Sequence, residues 1–73
     1  MNRNMRKEQL LQVYATLREN GYDPVGQIVG YILSDDPTYI TNYKGARALV
    51  SRIEREELLK DILVDYLKPE SFT

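Results

Sequence analysis

The chain has 73 residues, which is enough for one small domain with a modest hydrophobic core. It contains no cysteine and no histidine, so disulfides, thiolate metal sites and the usual histidine-based catalytic arrangements are excluded. Its net charge of −1 gives no bulk attraction for nucleic acid. A domain of this size usually needs a staple or a partner chain, and this composition favours self-association.

The sequence predicts neither a targeting segment nor a membrane span. The basic residues near the N-terminus, Arg3, Arg6 and Lys7, are not followed by the apolar run of a signal peptide. The longest uncharged segment ends at Ser34 and is far shorter than the ~20 residues that cross a bilayer. We therefore expect a cytoplasmic protein with no membrane insertion.

The first predicted helix runs from about Arg6 to Glu19, because its apolar residues recur on one face at helical spacing. Asn20 and Gly21 should end it, since glycine accepts the left-handed conformation of a helix C-terminus. We expect residues 1–5 and 70–73 to be frayed. The predicted apolar face comprises Leu10, Leu11, Val13, Tyr14 and Leu17.

The second predicted helix begins at Asp23 and Pro24, which suit the cap and the first helical position. Its apolar residues spread round most of the helical wheel, as is typical of a buried helix. Gly26 and Gly30 are four apart, and each lowers helix stability by roughly 1 kcal/mol relative to alanine. We interpret them as the place where another backbone crosses closely. The alternatives are that the helix tolerates the low helix propensity of glycine, or that this segment is extended instead of helical. The apolar residues are Val25, Ile28, Val29, Tyr31, Ile32 and Leu33.

A connection should follow the second helix, because the residue before Pro37 avoids the helical region. Thr38–Thr41 form this connection or a short strand, since their sequence favours β structure, but no second strand is predicted to pair with it. The third helix is predicted over Asn42–Arg52. Its buried residues should be Ala46, Leu49, Val50 and Ile53.

A break is predicted between Ser51 and Glu56, because the apolar residues before and after it point in opposite directions on one continuous wheel. Residues 51–54 have the pattern of a capping box for a new helix. The fourth helix then runs to Lys68. Its apolar residues are Leu58, Leu59, Ile62, Leu63, Tyr66 and Leu67.

These elements predict an all-α fold, a compact four-helix domain with a buried second helix. The apolar arc of the fourth helix covers about half its circumference, wider than the ~100° stripe of an ordinary surface helix. One small core could hardly cover this arc together with the second helix. We therefore expect a homodimer with a twofold interface.

The acidic residues Glu54, Glu56, Glu57 and Asp61 are candidates for a metal site, because hard cations prefer oxygen ligands. They also stand where a solvated face near a helix N-terminus would place them, and we favour this interpretation. No phosphate-binding loop is present. We predict no cofactor, no metal and no enzymatic activity.

Polar and aromatic residues around the second helix suggest a recognition surface, since tyrosine is common at interfaces. Gln27 is the one polar side chain of an otherwise apolar helix, and it is either satisfied within the chain or in contact across a dimer axis. Core spacing is seen for Tyr14, Tyr43 and Tyr66, whereas partial exposure is expected for Tyr22, Tyr31 and Tyr39. The candidate dimer or partner interface comprises Gly26, Gln27, Gly30, Tyr31, Tyr39, Leu59, Leu63 and Tyr66.

A DNA-binding regulator is the alternative function. Lys44, Arg47, Arg52 and Arg55 form a basic stretch, and residues 42–52 could serve as the reading helix of a helix-turn-helix. The neighbouring acidic residues would repel phosphate, which makes nucleic acid the weaker prediction.

The segment from Gly21 to Ile40 resembles the IreB family of regulatory phosphoproteins. It matches as Gly-Tyr-Asp-Pro-x-x-Gln-Ile-Val-Gly-Tyr-Ile-Leu-Ser-x-Asp-Pro-x-Tyr-Ile. Tyr-x-x-Leu precedes this segment, and Ala-Arg and Ile-Glu-Arg-Glu-Glu follow it, so that the resemblance extends over residues 10–68. It implies a non-catalytic, helical homodimer from Gram-positive bacteria. It also implies a link to a transmembrane Ser/Thr kinase, to envelope stress and to antibiotic tolerance, with an unidentified protein partner.

Some positions depart from the family pattern. Its members usually carry a longer, acidic N-terminal arm with phosphate-accepting threonines, whereas no Ser or Thr precedes Thr16 here. The usual asparagine and glycine are replaced by Gly26 and Asp35. The phosphoacceptor is therefore unknown, and a divergent paralogue fits these changes.

Overall fold

A computed structural model describes residues 2–68. The α-helices are α1 (Arg3–Glu19), α2 (Pro24–Ser34), α3 (Ala46–Ser51) and α4 (Arg55–Leu67), and a 3-10 turn spans Pro37–Tyr39. No strand occurs between residues 2 and 68, so the all-α prediction is confirmed, and residues 38–41 belong to the predicted connection rather than to the alternative short strand.

Helix α1 starts earlier than predicted. The side chain of Asn2 caps it, because its Oδ1 accepts a hydrogen bond from the Met5 amide at 2.9 Å. Residues 2–5 are therefore the first turn rather than a frayed end, and residues 70–73 lie outside the described residues. At the other end, Gly21 has φ 79° and the amide of Tyr22 donates to the carbonyl of Leu17, which confirms the predicted glycine stop.

Helix α2 begins as its sequence predicts. Asp23 caps it through a hydrogen bond from the Gly26 amide to Oδ1 at 3.1 Å, and Pro24 occupies the first turn. The helix ends where Asp35 adopts φ 59° and its amide donates to the carbonyl of Tyr31. Both ends depend on local chemistry, which is why the sequence predicted them.

The main core lies between the first three helices and the loop after the 3-10 turn. Polar and charged side chains are absent from the buried positions among residues 2–68. Ile53 and Leu58 are buried separately, at the break and in α4. The main cluster comprises Val13, Leu17, Ile28, Tyr31, Ile40, Ala46 and Val50.

The prediction of a buried second helix is wrong for the single chain. Only Ile28 and Tyr31 of α2 are buried. Val25, Val29 and Leu33, which are spaced four apart on another face, are 61%, 48% and 80% exposed. The core of one chain is too small to surround an all-round apolar helix, so α2 contributes one face to it and leaves another open.

The glycines of α2 face side chains rather than a crossing backbone, which corrects the prediction for them. A methyl group at position 30 would collide with the ring of Tyr39, and one at position 26 would meet the carboxylate of Asp23. The ring of Tyr39 lies directly over Gly30, which allows the 3-10 turn to pack against α2.

The predicted break between the last two helices is present at residues 52–54, but its chemistry differs. Ser51 does not cap α4, because its Oγ donates to the carbonyl of Ala48 within α3. Glu54 occupies the cap position without a side-chain hydrogen bond. Helix α3 is also shorter than predicted: residues 42–45 form a turn in which Lys44 and Gly45 have positive φ.

Two arginines hold α4 against the rest of the chain. The Nη1 atom of Arg55 donates to the carbonyl of Ile32 at 2.6 Å. Arg6 forms a two-point ion pair with Asp61, with Nε–Oδ2 at 2.5 Å and Nη2–Oδ1 at 3.0 Å. Both side chains of this pair are largely shielded from solvent, at 12% and 18% exposure. The pair therefore fixes α4 beside α1.

The Arg6–Asp61 pair should make stability depend on pH. The hydrogen bonds from Arg6, and then its charge, hold the pKa of Asp61 below its ordinary value. Such a carboxylate stabilises the fold above its unfolded pKa of about 3.9, and this contribution is lost as the pH falls through the folded pKa. We predict that the urea midpoint of the wild type falls more steeply below about pH 4 than that of Asp61→Asn. Asp65→Asn, an exposed change on the same helix, should keep the wild-type slope; equal slopes in all three proteins would contradict the prediction.

The contact between Gly30 and Tyr39 gives a second prediction. Gly30→Ala should lower the free energy of unfolding by about 1 kcal/mol, because the new methyl displaces the Tyr39 ring. In a Tyr39→Ala background the same change should raise it by about 1 kcal/mol through better helix propensity. Urea denaturation of the four proteins measures both effects, and identical values in the two backgrounds would show that the ring does not restrict position 30.

Candidate interaction surface

Helix α4 carries a row of large apolar side chains that the core does not cover. They lie at spacings of three and four residues, so they share one face of the helix. Their exposure runs from 38% to 84%, whereas Leu58, which lies one turn before Ile62 at the edge of this row, is buried. We name this row the α4 stripe: Leu59, Ile62, Leu63, Tyr66 and Leu67.

The α4 stripe faces outward because the chain turns at residues 52–54. Ile53 is buried in the turn and Leu58 one helical turn later, and Asp61 faces α1 to meet Arg6. These contacts fix the rotation of α4 about its axis. The apolar side chains of the stripe therefore remain open to solvent instead of joining the core.

A groove of about 220 Å³ runs beside the α4 stripe, between α1 and α4. Apolar side chains line much of it, and its charged residues are divided by helix: Arg3 and Lys7 lie on α1, Asp61 and Asp65 on α4. The groove shares Ile62 with the stripe. The apolar surface of α4 therefore continues towards α1.

A second uncovered apolar row lies on α2. We name it the α2 stripe, and it consists of Val25, Val29 and Leu33. Tyr39, from the 3-10 turn, is 53% exposed and covers Gly30 on the same helix. Uncovered apolar side chains therefore lie on both α2 and α4, and contiguous rows of this kind are candidates for interaction sites.

The structure separates the predicted interface residues into two exposed groups and two internal residues. Leu59, Leu63 and Tyr66 lie together on the α4 stripe. Tyr66, predicted from its spacing to be a core residue, is 84% exposed. Gly26, Gly30 and Tyr39 lie beside the α2 stripe, with Gly30 partly covered.

Gln27 is a structural residue of the single chain. Its Nε2 donates to Thr41 Oγ1 at 2.9 Å, and its Oε1 accepts from the Thr41 amide at 2.8 Å. Both ends of the side chain amide are thus used to hold the loop after the 3-10 turn. This confirms the interpretation of a glutamine satisfied within the chain, and its contact across a dimer axis stays a prediction.

Tyr31 is also internal, which corrects the prediction of partial exposure. It is a core residue, and its hydroxyl donates to the carbonyl of Ile53 at 3.5 Å. Burial raises the pKa of Tyr31, the charge of Asp35 raises it further, and Arg55 opposes them. The phenol therefore stays protonated near neutral pH and links α2 to the break before α4.

Several members of the two stripes were not among the predicted interface residues: Val25, Val29, Leu33, Ile62 and Leu67. Their signal was present in the sequence as the wide apolar arcs of both helices. Spacing alone does not show which part of a wide arc the core will use: the α2 residues were expected to be buried, and the α4 arc was expected to be covered in a dimer without a choice of residues within it.

Two of the four acidic residues around α4 form ion pairs within the chain. Asp61 pairs with Arg6, and Lys60 lies 3.7 Å from Glu57. Among residues 2–68, no group of three or more acidic side chains is arranged to hold a metal ion. Within the same range, no helix is both long and apolar enough to cross a membrane.

Most of the basic residues near α3 are occupied within the chain. Lys44 pairs with Glu19 at 2.8 Å, and Arg47 Nε donates to the carbonyl of Ile40 at 2.8 Å. Arg55 pairs with Asp35 at 3.0 Å in addition to its bond to Ile32. The reading helix was predicted over residues 42–52, but the observed helix α3 has six residues and presents little surface to a DNA groove.

Comparison with known proteins adds an independent line of evidence. The chain matches the family model described as IreB regulatory phosphoprotein over residues 1–68. A relative from Ruminiclostridium cellulolyticum, named UPF0297 protein, is 58% identical over 65 residues, which cover 89% of this chain and 74% of the relative. The resemblance predicted from residues 21–40 is thereby confirmed: the chain belongs to the IreB family of regulatory phosphoproteins.

Proposed function

We propose that this protein is a non-enzymatic regulator that acts by binding other proteins, and that it does so as a homodimer. The observation that carries the proposal is the α4 stripe, an exposed apolar row on a helix whose position is fixed by Ile53, Leu58 and the Arg6–Asp61 pair. Exposed apolar rows of this kind usually mark interaction sites. Membership in a family described as regulatory supports the same role.

A second copy of the chain is the occupant we assign to the α4 stripe. In a twofold dimer the same surface serves on both partners, and two apolar stripes can cover each other along their length. Side chains at spacings of three and four residues pack between those of a facing helix. Covering the stripe in a dimer would add buried apolar surface to the small core of a 73-residue chain.

The α2 stripe then remains available for a different protein. It is smaller and contains no charged side chain, and Tyr39 lies at its edge. An aromatic residue beside aliphatic ones is typical of a binding site for an apolar segment of a partner. We propose that this partner belongs to Ser/Thr-kinase-linked signalling for envelope stress and antibiotic tolerance in the cytoplasm of a Gram-positive bacterium, a role that membership in a family described as regulatory supports.

The absence of catalysis is part of the proposal. The chain has no histidine or cysteine to act as a base or nucleophile near neutral pH. The carboxylate of Asp61 is neutralised by an ion pair, and Tyr31 is buried with its hydroxyl bonded to a carbonyl. Binding is therefore the activity that the described side chains support best.

Leu63→Glu tests the dimer. A carboxylate in the centre of the α4 stripe would have to be buried against its twofold copy, so the substitution should weaken the dimer. We predict a rise of at least tenfold in the dimer dissociation constant, or about 1.4 kcal/mol. Sedimentation equilibrium measures this change, and circular dichroism should show unchanged helix content because Leu63 is exposed in the single chain.

Ala15→Glu is the matched control, since it adds the same charge at an exposed position on α1. It should leave the dissociation constant within about twofold of the wild type. A monomeric wild type at micromolar concentration, or an unchanged Leu63→Glu dimer, would refute the assignment of the α4 stripe.

The DNA-binding alternative predicts a different result. A regulator of that kind should bind duplex DNA with an affinity that falls steeply with salt and with Arg47→Ala and Arg52→Ala. Because Arg47 is bonded to the loop carbonyl of Ile40, we expect instead no salt-dependent shift in fluorescence anisotropy at micromolar protein. Strong binding at low salt that both substitutions weaken would favour the alternative.

A further inference from the structure

The groove between α1 and α4 has walls built from residues that are spaced one helical turn apart. On α1, Arg3, Lys7 and Leu11 follow one another at four-residue intervals. On α4, Leu58 and Ile62 have the same spacing. Rows of this kind are the ridges between which the side chains of a further helix pack. The shape of the groove therefore suits an α-helix laid along it.

The interior of the groove is apolar and small. Leu58, which lines it, is buried, whereas Leu11 and Ile62 on its two walls are 54% and 38% exposed. Its volume of about 220 Å³ lies below the ~300 Å³ at which small-molecule sites begin. A groove of this size holds a few aliphatic side chains, which are what an amphipathic helix inserts when it binds in a groove. A protein segment therefore fits it better than a cofactor does.

The charges on the α1 wall favour an acidic occupant. Arg3 lies in the first turn of α1, which contains no acidic residue, and Lys7 lies one turn later. A cation at this end of a helix is unfavourable for the helix itself, because the backbone dipole is positive there. Between residues 2 and 68, neither Arg3 nor Lys7 forms an ion pair or a side-chain hydrogen bond. The α1 wall thus presents two cations that no carboxylate of this part of the chain binds.

We propose that the α1–α4 groove binds an amphipathic α-helix of a partner protein, one whose apolar face is bordered by acidic residues. Aliphatic side chains of that helix pack between Leu11 and Ile62, and its carboxylates reach Arg3 and Lys7. Asp65, on the opposite wall, repels a carboxylate, so the acidic border lies on the α1 side alone. This proposal rests on the proposed function as a protein-binding regulator, and it concerns a surface separate from the α2 stripe.

A second copy of the chain does not offer a helix of this kind. The helix that carries its α2 stripe, Pro24–Ser34, contains no charged residue. One border of its α4 stripe carries Asp61 and Asp65, but both line the groove of their own chain and so face their own α1. The other border carries Glu56 and Lys60, which have opposite charges. A different protein is therefore the occupant that the charges of the groove favour.

A designed peptide tests the groove. It has about 18 residues, enough to form a helix on its own, with leucines spaced three and four apart and glutamates along one border. A control peptide has lysine in place of each glutamate. With the full chain, fluorescence anisotropy should give a dissociation constant at least tenfold lower for the acidic peptide than for the basic one.

Substitutions on the α1 wall should weaken this binding. We expect Lys7→Glu and, separately, Leu11→Gln to raise the dissociation constant of the acidic peptide at least tenfold. Both residues are exposed, so circular dichroism should show unchanged helix content. Lys44→Glu is the matched control, since it makes the same charge change at an exposed position in the turn before α3. It should leave the dissociation constant within about twofold of the wild type.

Nuclear magnetic resonance locates the bound peptide, and we expect amide shift changes concentrated in residues 3–11 and 58–65. No binding of the acidic peptide, tighter binding of the basic one, or shift changes confined to α2 would overturn the proposal. A tenfold rise in the dimer dissociation constant caused by Lys7→Glu would also overturn it, because a second copy would then occupy the groove. The monomer produced by Leu63→Glu should still bind the acidic peptide within about twofold of the wild type, so failure of the groove and failure of the dimer are separate outcomes.

Discussion

Nine side chains between residues 2 and 68 form the buried set, and this small core limits what each helix can do. Three helices and one loop share most of it, so no helix is covered on all sides. An apolar helix in this chain must therefore leave part of its surface open. The α2 and α4 stripes both follow from this limit: there is more apolar helix surface than one chain of this size can bury.

Several polar contacts hold the loop after the 3-10 turn against the helices. Gln27 holds the loop at Thr41, and Arg47 binds the carbonyl of Ile40 in the same loop. These bonds satisfy backbone groups that no helix can satisfy. They also occupy a side chain that the sequence offered for DNA recognition, so the use of Arg47 in the fold weakens that alternative.

The parts of the fold that depend on neighbouring residues were predictable from the sequence. The Asp23 cap and the Gly21 stop depend on local backbone chemistry, and each is present. Burial was not predictable in the same way, because it depends on which faces the rest of the chain covers. Tyr31 and Tyr66 illustrate this: both have helical spacing with apolar neighbours, yet one is in the core and the other is almost fully exposed.

Local rules also failed where a distant contact replaced the expected one. Ser51 and Glu54 have the capping-box pattern, but the chain turns there because Ile53 is buried and Arg55 binds the carbonyl of Ile32. Contacts with distant parts of the chain, and not a capping hydrogen bond, thus determine where α4 begins. Gly30 is similar, since the group that requires its missing side chain, Tyr39, comes from a turn and not from a crossing helix.

Arg55 connects the two candidate surfaces. Its guanidinium binds the carbonyl of Ile32 and the carboxylate of Asp35, so the first residue of α4 is attached to the last turn of α2. Asp35 has φ 59°, a conformation that disfavours most side chains but that aspartate tolerates. A glycine would adopt this backbone conformation without strain, but it could not bind Arg55. The aspartate therefore adds some local strain and provides a contact between the two helices. Because this contact links the helix that carries the α2 stripe to the helix that carries the α4 stripe, it limits how far either surface can move independently of the other.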